Sequence, residues 1–154
     1  MTVAASVEVT DASKRTKAIK ITGNKLANTI IGGSGADYLV GGAGNDSLIG
    51  NASNDKLYGE AGNDIFICQM DEAGTDTIFD YESGDILQIL NANGSKGSFS
   101  GATFSGNKLT LSIDGGGSVI FSGVSKGNTF NINGKTYMTY GKTIKSTSKF
   151  AGIG

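Results

Sequence analysis

The residues best suited to chemistry in this chain are aspartates that recur at a fixed spacing. Written in nines from Gly32, the chain reads GGSGADYLV, GGAGNDSLI, GNASNDKLY and GEAGNDIFI, with aspartate always in the sixth position. These aspartates are Asp37, Asp46, Asp55 and Asp64. Ca²⁺ takes six to eight oxygen ligands from carboxylates and backbone carbonyls, whereas Mg²⁺ requires near-ideal octahedral geometry and retains its waters. The spacing therefore favours calcium ligation over magnesium.

The nine-residue frame continues on both sides of these copies. Upstream, Gly23–Ile31 is a degenerate copy with Asn28 in the sixth position. Downstream, the three extra residues Cys68–Met70 predict a local bulge, after which DEAGTDTIF and DYESGDILQ place Asp76 and Asp85 in the sixth position. Six aspartates are thus in phase. Without metal, the same aspartates could serve only as turn caps.

Charge and composition exclude several classes of catalytic and metal site. The chain has 154 residues with no histidine, no proline and one cysteine, which excludes histidine general bases, Ser-His-Asp triads, histidine metal sites and an internal disulfide. Residues 32–85 hold eleven acids and one lysine, a net charge of −10, between flanks of +3 and +6. Such a block must be extended, disordered or neutralised by cations, and its periodicity argues for cations. No apolar run is long enough to span a bilayer, and no secretory signal peptide opens the chain.

The elements that must position the aspartates are short strands between glycine-rich turns. Glycine, of which there are 25, accepts the positive φ that tight turns need, and the eighth position of each copy is a large apolar residue. The pattern predicts an all-β fold in which two turns and two strands form one coil of a right-handed parallel β-solenoid. Because a coil spans eighteen residues, alternate turns share an edge. The best-supported pairs of ligands are then Asp37 with Asp55 and Asp46 with Asp64.

The flanks predict a division into three parts. Residues 1–22 are expected to form N-terminal strands leading into the coil, with Ile21 as a rung without a metal turn. Residues 23–90 are the β-roll itself. Residues 91–154 are expected to form an antiparallel β cap over its open end. Four strands are predicted in this cap: Lys108–Ile113, Ser118–Phe121, Thr129–Ile132 and Lys135–Tyr140. Hairpins are expected at Asp114–Gly117 and at Asn133–Gly134, and Asn-Gly is a favoured type I′ sequence.

The repeats resemble the RTX (repeats-in-toxin) family, whose nonapeptide is GGxGxDxUx. The tandem copies GGSGADYLV and GGAGNDSLI match every specified position, the resemblance covers residues 23–67, and Gly74–Asp85 resembles the family's closing segment. It implies a haemolysin-type β-roll with calcium between turns. It also implies a C-terminal region of a bacterial protein exported by the type I secretion machinery and acting outside the cell or at its surface. Residues 91–154 would then include the secretion-signal region.

Carried over to this chain, the resemblance implies a specific ligand set. The sixth-position aspartates supply carboxylates, and the second and fourth turn positions complete the sites. The expected metal residues are Asp37, Asp46, Asp55, Asp64, Asp76, Asp85, Gly33, Gly35, Gly42, Gly44, Asn51, Ser53 and Gly62. We expect about three calcium ions, within a range of two to four. Because Asn51, Ser53 and Glu60 replace turn glycines, we expect weaker sites there.

The residues outside the repeat positions predict no catalysis and leave one alternative function open. We expect no catalytic residues and no organic cofactor, since nearly every acid is in the repeat phase. The alternative is a carbohydrate- or surface-binding accessory module attached to a secreted enzyme, in which exposed lysines meet an acidic glycan; these are Lys126, Lys135, Lys142, Lys145 and Lys149. No nucleic-acid groove is indicated. Phe79 and Tyr81 are expected in the core, Cys68 as a buried apolar residue, and Asp71, Glu72 and Glu82 in solvent.

Overall fold

The structure is a computed structural model, and it describes residues 8–69, 74–91, 93–140 and 142–146. All fifteen elements in this part of the chain are β-strands, which confirms the all-β prediction. They form two sheets of eight and seven strands. No helix in the described residues has the length and apolar character needed to cross a membrane.

The first sheet takes every second strand of the coils and ends in a meander. Its strands in spatial order are β1 (Val9–Asp11), β3 (Thr29–Ile31), β5 (Ser47–Ile49), β7 (Ile65–Gln69), β9 (Ile86–Leu90), β13 (Thr129–Ile132), β14 (Lys135–Tyr140) and β15 (Thr143–Ser146). The pairs from β1 to β13 are parallel, and the last two are antiparallel.

The second sheet takes the intervening strands. Its order is β2 (Lys20–Thr22), β4 (Tyr38–Val40), β6 (Lys56–Tyr58), β8 (Thr75–Ile78), β12 (Ser118–Ser122), β11 (Lys108–Ile113) and β10 (Phe99–Ser105). Strands β2 to β12 are parallel neighbours, and β12, β11 and β10 pair antiparallel. The stacked coils therefore form a parallel β-solenoid followed by an antiparallel cap, as predicted.

Each coil strand contributes one side chain to a continuous core. The eighth-position residues Ile30, Leu39, Leu48 and Phe66 are fully buried, and Ile21 is buried as the predicted first rung, in register with Leu39. Burying such a side chain contributes about 1.5–3 kcal/mol. A three-residue strand with one inward side chain cannot be stable alone, so its stability comes from stacking.

The cap continues both sheets rather than lying across them. Strand β12 pairs in parallel with β8, and β13 pairs in parallel with β9, so the last coil is extended by strands from the C-terminal segment. The hairpin at Asn133–Gly134 has φ values of 53° and 83°, as a type I′ turn requires. Three predicted cap strands have the observed bounds, and β12 extends one residue further; β10 and β15 were not predicted.

Two local expectations differ from the structure. Cys68 and Gln69 are not a bulge but extend β7 in regular register with Ile89 and Leu90, because the next coil supplies a strand of equal length. Cys68 is half-buried against the core. Phe79 lies outside the core and stacks on Tyr58, with ring centroids 4.8 Å apart.

Tyr81 packs against the core as predicted. Its ring meets Phe121 edge-on at 5.0 Å, and its hydroxyl donates to the Asp85 carbonyl at 2.7 Å. The same hydroxyl accepts the backbone N–H of Asn131 at 2.7 Å. Tyr81 therefore ties the last coil to the cap. Met70, Asp71, Glu72, Lys149 and the N-terminal residues 1–7 lie outside the described residues.

Candidate calcium-binding edges

The sixth-position aspartates form two columns, one on each edge of the solenoid. The first edge carries Asp37, Asp55 and Asp76, and the second edge carries Asn28, Asp46, Asp64 and Asp85. All seven side chains are buried, with at most 7% of their surface exposed. We call the contact between two successive turns on one edge a junction.

Hydrogen bonds between coils hold these columns in line. At each junction the backbone N–H of the sixth-position residue donates to Oδ1 of the aspartate one coil later. The distances are 2.7 Å for Asp37 N to Asp55, 3.1 Å for Asp55 N to Asp76, 2.7 Å for Asn28 N to Asp46, 2.9 Å for Asp46 N to Asp64 and 2.8 Å for Asp64 N to Asp85. One carboxylate oxygen per turn thus serves the fold.

The second carboxylate oxygen separates the aspartates into two groups. Oδ2 of Asp46, Asp55 and Asp64 is buried and has no hydrogen-bond partner. In contrast, Oδ2 of Asp37 accepts the Gly33 N–H at 2.7 Å, and Oδ2 of Asp85 accepts the Glu82 N–H at 2.8 Å. A buried carboxylate oxygen without a donor is costly, so the three central turns need a cation or a proton.

The titration behaviour of these groups has the same cause. Burial raises the pKa of Asp46 to about 6, of Asp64 to about 7 and of Asp55 to about 8, and it also raises the pKa of Asp85. Neighbouring carboxylates add to the effect, and for Asp55 the largest such contribution comes from Asp76. Full ionisation at neutral pH therefore requires a positive charge within the edges.

The first glycine of each repeat leaves room for the unpartnered oxygen. A Cβ on Gly41 would overlap Oδ2 of Asp46, and one on Gly50 would overlap Oδ2 of Asp55. The first-position glycines are not among the residues with positive φ. The first-position glycines are therefore required for space beside the carboxylate and not for a positive φ, which is the role that the sequence predicts for the repeat glycines.

The second and fourth positions do need positive φ in the three central turns. The values are 95° and 95° at Gly42 and Gly44, 68° and 82° at Asn51 and Ser53, and 66° and 116° at Glu60 and Gly62. In the preceding turn, Gly33 and Gly35 instead approach the backbone of residues 12–18 too closely for a side chain. The non-glycine residues thus adopt the glycine conformation.

Three polar residues of the edges are not in the predicted ligand set, although Asp80 could be either a late ligand or a turn acid from the sequence. Asp80 accepts the N–H groups of Gly59 and Glu60 at 2.9 and 2.8 Å, which orders that turn. Asn45 and Asn54, in the fifth position, accept N–H groups from the following turn. The recurrence of asparagine before aspartate in three successive repeats was the available signal.

The donor set fits calcium. Among the described residues, no group of three or more acidic, cysteine or histidine side chains converges on one point. A cation between turns would therefore take two carboxylates and complete its shell with backbone carbonyls, which suits the adaptable geometry of Ca²⁺. The buried unpartnered oxygens identify where such a charge is needed.

Comparison with known proteins agrees with this geometry. Residues 22–55 and 31–66 match the family model of the RTX calcium-binding nonapeptide repeat, a unit of four copies. No curated protein matches the chain. The matched residues are coils that carry Asp37, Asp46, Asp55 and Asp64, whereas Asp76 and Asp85 lie beyond the match. A β-roll of this type is a structural domain rather than a catalytic one. The coils of residues 22–66 therefore carry RTX calcium-binding nonapeptide repeats.

Proposed function

We propose that this chain is a module that folds on binding calcium, within a protein exported by type I secretion and acting outside the cell. The observation that supports it best is the set of buried, unpartnered oxygens on Asp46, Asp55 and Asp64. They lie within a segment of net charge −10, which disfavours a compact state unless cations are bound.

The ligands we propose are those of the repeat frame. Four junctions bring two in-phase aspartates together: Asp37–Asp55, Asp55–Asp76, Asp46–Asp64 and Asp64–Asp85. Bound calcium supplies the positive charge that lets both carboxylates of a junction ionise. The turn residues Gly33, Gly35, Gly42, Gly44, Asn51, Ser53 and Gly62 would position the carbonyls that complete the shells. We expect about three ions per chain.

Folding and binding are linked because the ligands come together only in the stacked coils. A ligand that binds the folded chain and not the unfolded chain stabilises the fold by mass action. Extracellular modules bind calcium at about 10⁻⁴–10⁻³ M, well above cytosolic concentrations. The acidic segment would thus remain expanded before export and fold outside, consistent with the extracellular proteins in which RTX repeats typically occur.

Circular dichroism tests the coupling. With no calcium the chain should show mainly unfolded signal, and about 10 mM calcium should produce a β spectrum. The same concentration of magnesium is the control and should have little effect. Identical β spectra with and without calcium would contradict the proposal.

A cleft within the cap favours a second function, the binding of an acidic glycan. It has a volume of about 300 Å³ and is lined by Lys96, Lys135, Phe99 and Tyr137. The Lys135 ammonium lies 5.9 Å from the centre of the Tyr137 ring, so cationic and flat apolar surfaces are adjacent. Of the lysines in the glycan hypothesis that the structure describes, only Lys135 lines this cleft.

Retention on immobilised alginate tests this second function. Lys96→Ala with Lys135→Ala should abolish retention, whereas Lys126→Ala, an exposed lysine that does not line the cleft, should leave it unchanged. Equal retention of all three proteins would exclude the cleft as a glycan site.

A further inference from the structure

The turn from Gly50 to Asp55 has side chains where the neighbouring repeats have glycine. Asn51 and Ser53 occupy its second and fourth positions and can donate hydrogen bonds there. The equivalent residues of the other three repeats are Gly33 and Gly35, Gly42 and Gly44, and Glu60 and Gly62. Glycine has no side-chain donor, and an ionised glutamate only accepts. One of the four repeats thus carries donors at these positions.

Both donors bond to the preceding turn on the same edge. Asn51 Nδ2 donates to the Gly32 carbonyl at 2.7 Å, and Ser53 Oγ donates to the Ser34 carbonyl at 2.8 Å. Asn51 and Ser53 hold positive φ in doing so, which costs a non-glycine residue about 1–2 kcal/mol. Two carbonyls of the preceding turn are therefore occupied by side-chain donors of the next.

The carboxylate of the preceding turn is also satisfied. Asp37 Oδ1 accepts the Ile19 N–H at 2.9 Å, Oδ2 accepts the Gly33 N–H at 2.7 Å, and the Asp37 carbonyl accepts the Lys56 N–H at 2.9 Å. These oxygens of the Gly32–Asp37 turn have donors in place of a cation.

The junction on the second edge differs in its side-chain donors and in the second carboxylate oxygens, although the Asp46 carbonyl likewise accepts a backbone N–H, that of Ile65 at 2.8 Å. Glu60 and Gly62 provide no donor to the preceding turn, and the Oδ2 atoms of Asp46 and Asp64 are both buried without a partner. Gly62 lies directly against the Gly44 carbonyl, so the turns approach closely, and the side-chain bonds across this junction are those that Asn45 and Asp64 accept from backbone N–H groups. This junction retains the oxygens that a cation needs.

We infer that the junction between the turns Gly32–Asp37 and Gly50–Asp55 is closed by Asn51 and Ser53 and takes no calcium. The inference rests on the proposed calcium-binding function and assigns ions to the other junctions with two aspartates. On the first edge Asp55 then belongs with Asp76, whose Oδ1 accepts the Asp55 N–H at 3.1 Å. Two side-chain hydrogen bonds thus replace one metal ion.

Counting bound ions by native mass spectrometry in saturating calcium tests this inference. The double variant Asn51→Gly, Ser53→Gly restores the repeat pattern, removes both donors and should bind one calcium ion more than the wild-type chain. The matched control is Glu60→Gly, which also replaces a positive-φ residue by glycine but removes no donor. Its ion count should equal that of the wild type.

A second measurement uses the unaltered chain. Anomalous scattering from crystals grown in calcium should give peaks between Asp46 and Asp64 and no peak between Asp37 and Asp55. An equal ion count in wild type and double variant, or a peak at the Asp37–Asp55 junction, would overturn the inference while leaving calcium binding intact. A wild-type chain that binds no calcium would overturn the proposed function and the inference together.

Discussion

The roll and the cap bury different kinds of side chain, although their sheets are continuous. A coil of the roll buries one apolar residue per three-residue strand together with an aspartate at each edge. The cap has strands of four to seven residues and packs Phe121 and Phe130 against Tyr81. Stability of the roll therefore depends on neutralising charge, whereas stability of the cap comes from apolar burial.

The largest effect should come from the cap. Phe121 is fully buried, with its ring 4.8 Å from that of Phe130. Phe121→Ala should lower the free energy of unfolding by about 3–5 kcal/mol because it leaves a cavity. Urea unfolding at about 1 and about 10 mM calcium should give the same loss, since no metal ligand is touched. A loss of unfolding free energy that disappears at the higher calcium concentration would contradict the claim that the stability of the cap does not depend on calcium.

The corresponding change in the roll is Asp64→Asn. Asp64 belongs to two junctions, so its loss should weaken both sites. Above the dissociation constant, each lost site should widen the stability gap to wild type by about 1.4 kcal/mol per tenfold rise in calcium. The same urea series measures it. Asp114→Asn, which loses a carboxylate bonded to Ser98 in the cap, should show a gap independent of calcium.

Rising pH should lower the stability of the metal-free fold and raise the apparent affinity for calcium. The pKa is raised to about 6 for Asp46, about 7 for Asp64 and about 8 for Asp55. Because the metal-free fold holds these protons more tightly than the unfolded chain does, they stabilise it, and they do so fully at a pH below the ordinary pKa of 3.8. That contribution is lost as pH rises through 6 to 8. Calcium must displace these protons, so its apparent affinity should rise by about tenfold per displaced proton for each pH unit. Calcium titrations by circular dichroism at pH 6 and 8 measure this, and equal midpoints would contradict it.

The smallest change in stability is expected when either of two positive-φ residues is replaced by glycine. Glu60 in the roll and Asn133 in the cap have φ of 66° and 53°. Glu60→Gly should stabilise by about 0.5–1 kcal/mol, because it relieves a conformation unfavourable for glutamate. Asn133→Gly should destabilise, because Asn133 Oδ1 accepts the Ile89 N–H and its Nδ2 donates to the Gly97 carbonyl. Thermal unfolding in calcium should show a higher unfolding temperature for Glu60→Gly and a lower one for Asn133→Gly than for the wild type.

The repeat frame made much of this arrangement predictable. A period of nine residues determines which strands pair, so the register of Leu39 with Leu57 and the separation of Asp46 from Asp55 onto opposite edges follow from counting. The Asn133–Gly134 turn was predictable because few residue pairs accept two positive φ values.

Contacts between distant side chains were not predictable in the same way. The bonds from Asn51 and Ser53 to the previous coil depend on where their side chains point after stacking, which the repeat pattern does not specify. Asp80 lies in the first position of its copy, where the five copies up to residue 67 have glycine, so nothing in the pattern related it to the Gly59 N–H. Strand β10 contains no repeat and alternates weakly in burial.

The hydrogen-bond ladder along the second edge has a consequence for the shape of the calcium response. Asp64 is shared by the junctions with Asp46 and Asp85, so ordering it for one ion leaves less conformational entropy to lose for the next. The second edge then behaves as a one-dimensional array with nearest-neighbour coupling. We expect occupancy to rise cooperatively, over a narrower range of calcium concentration than independent sites would give.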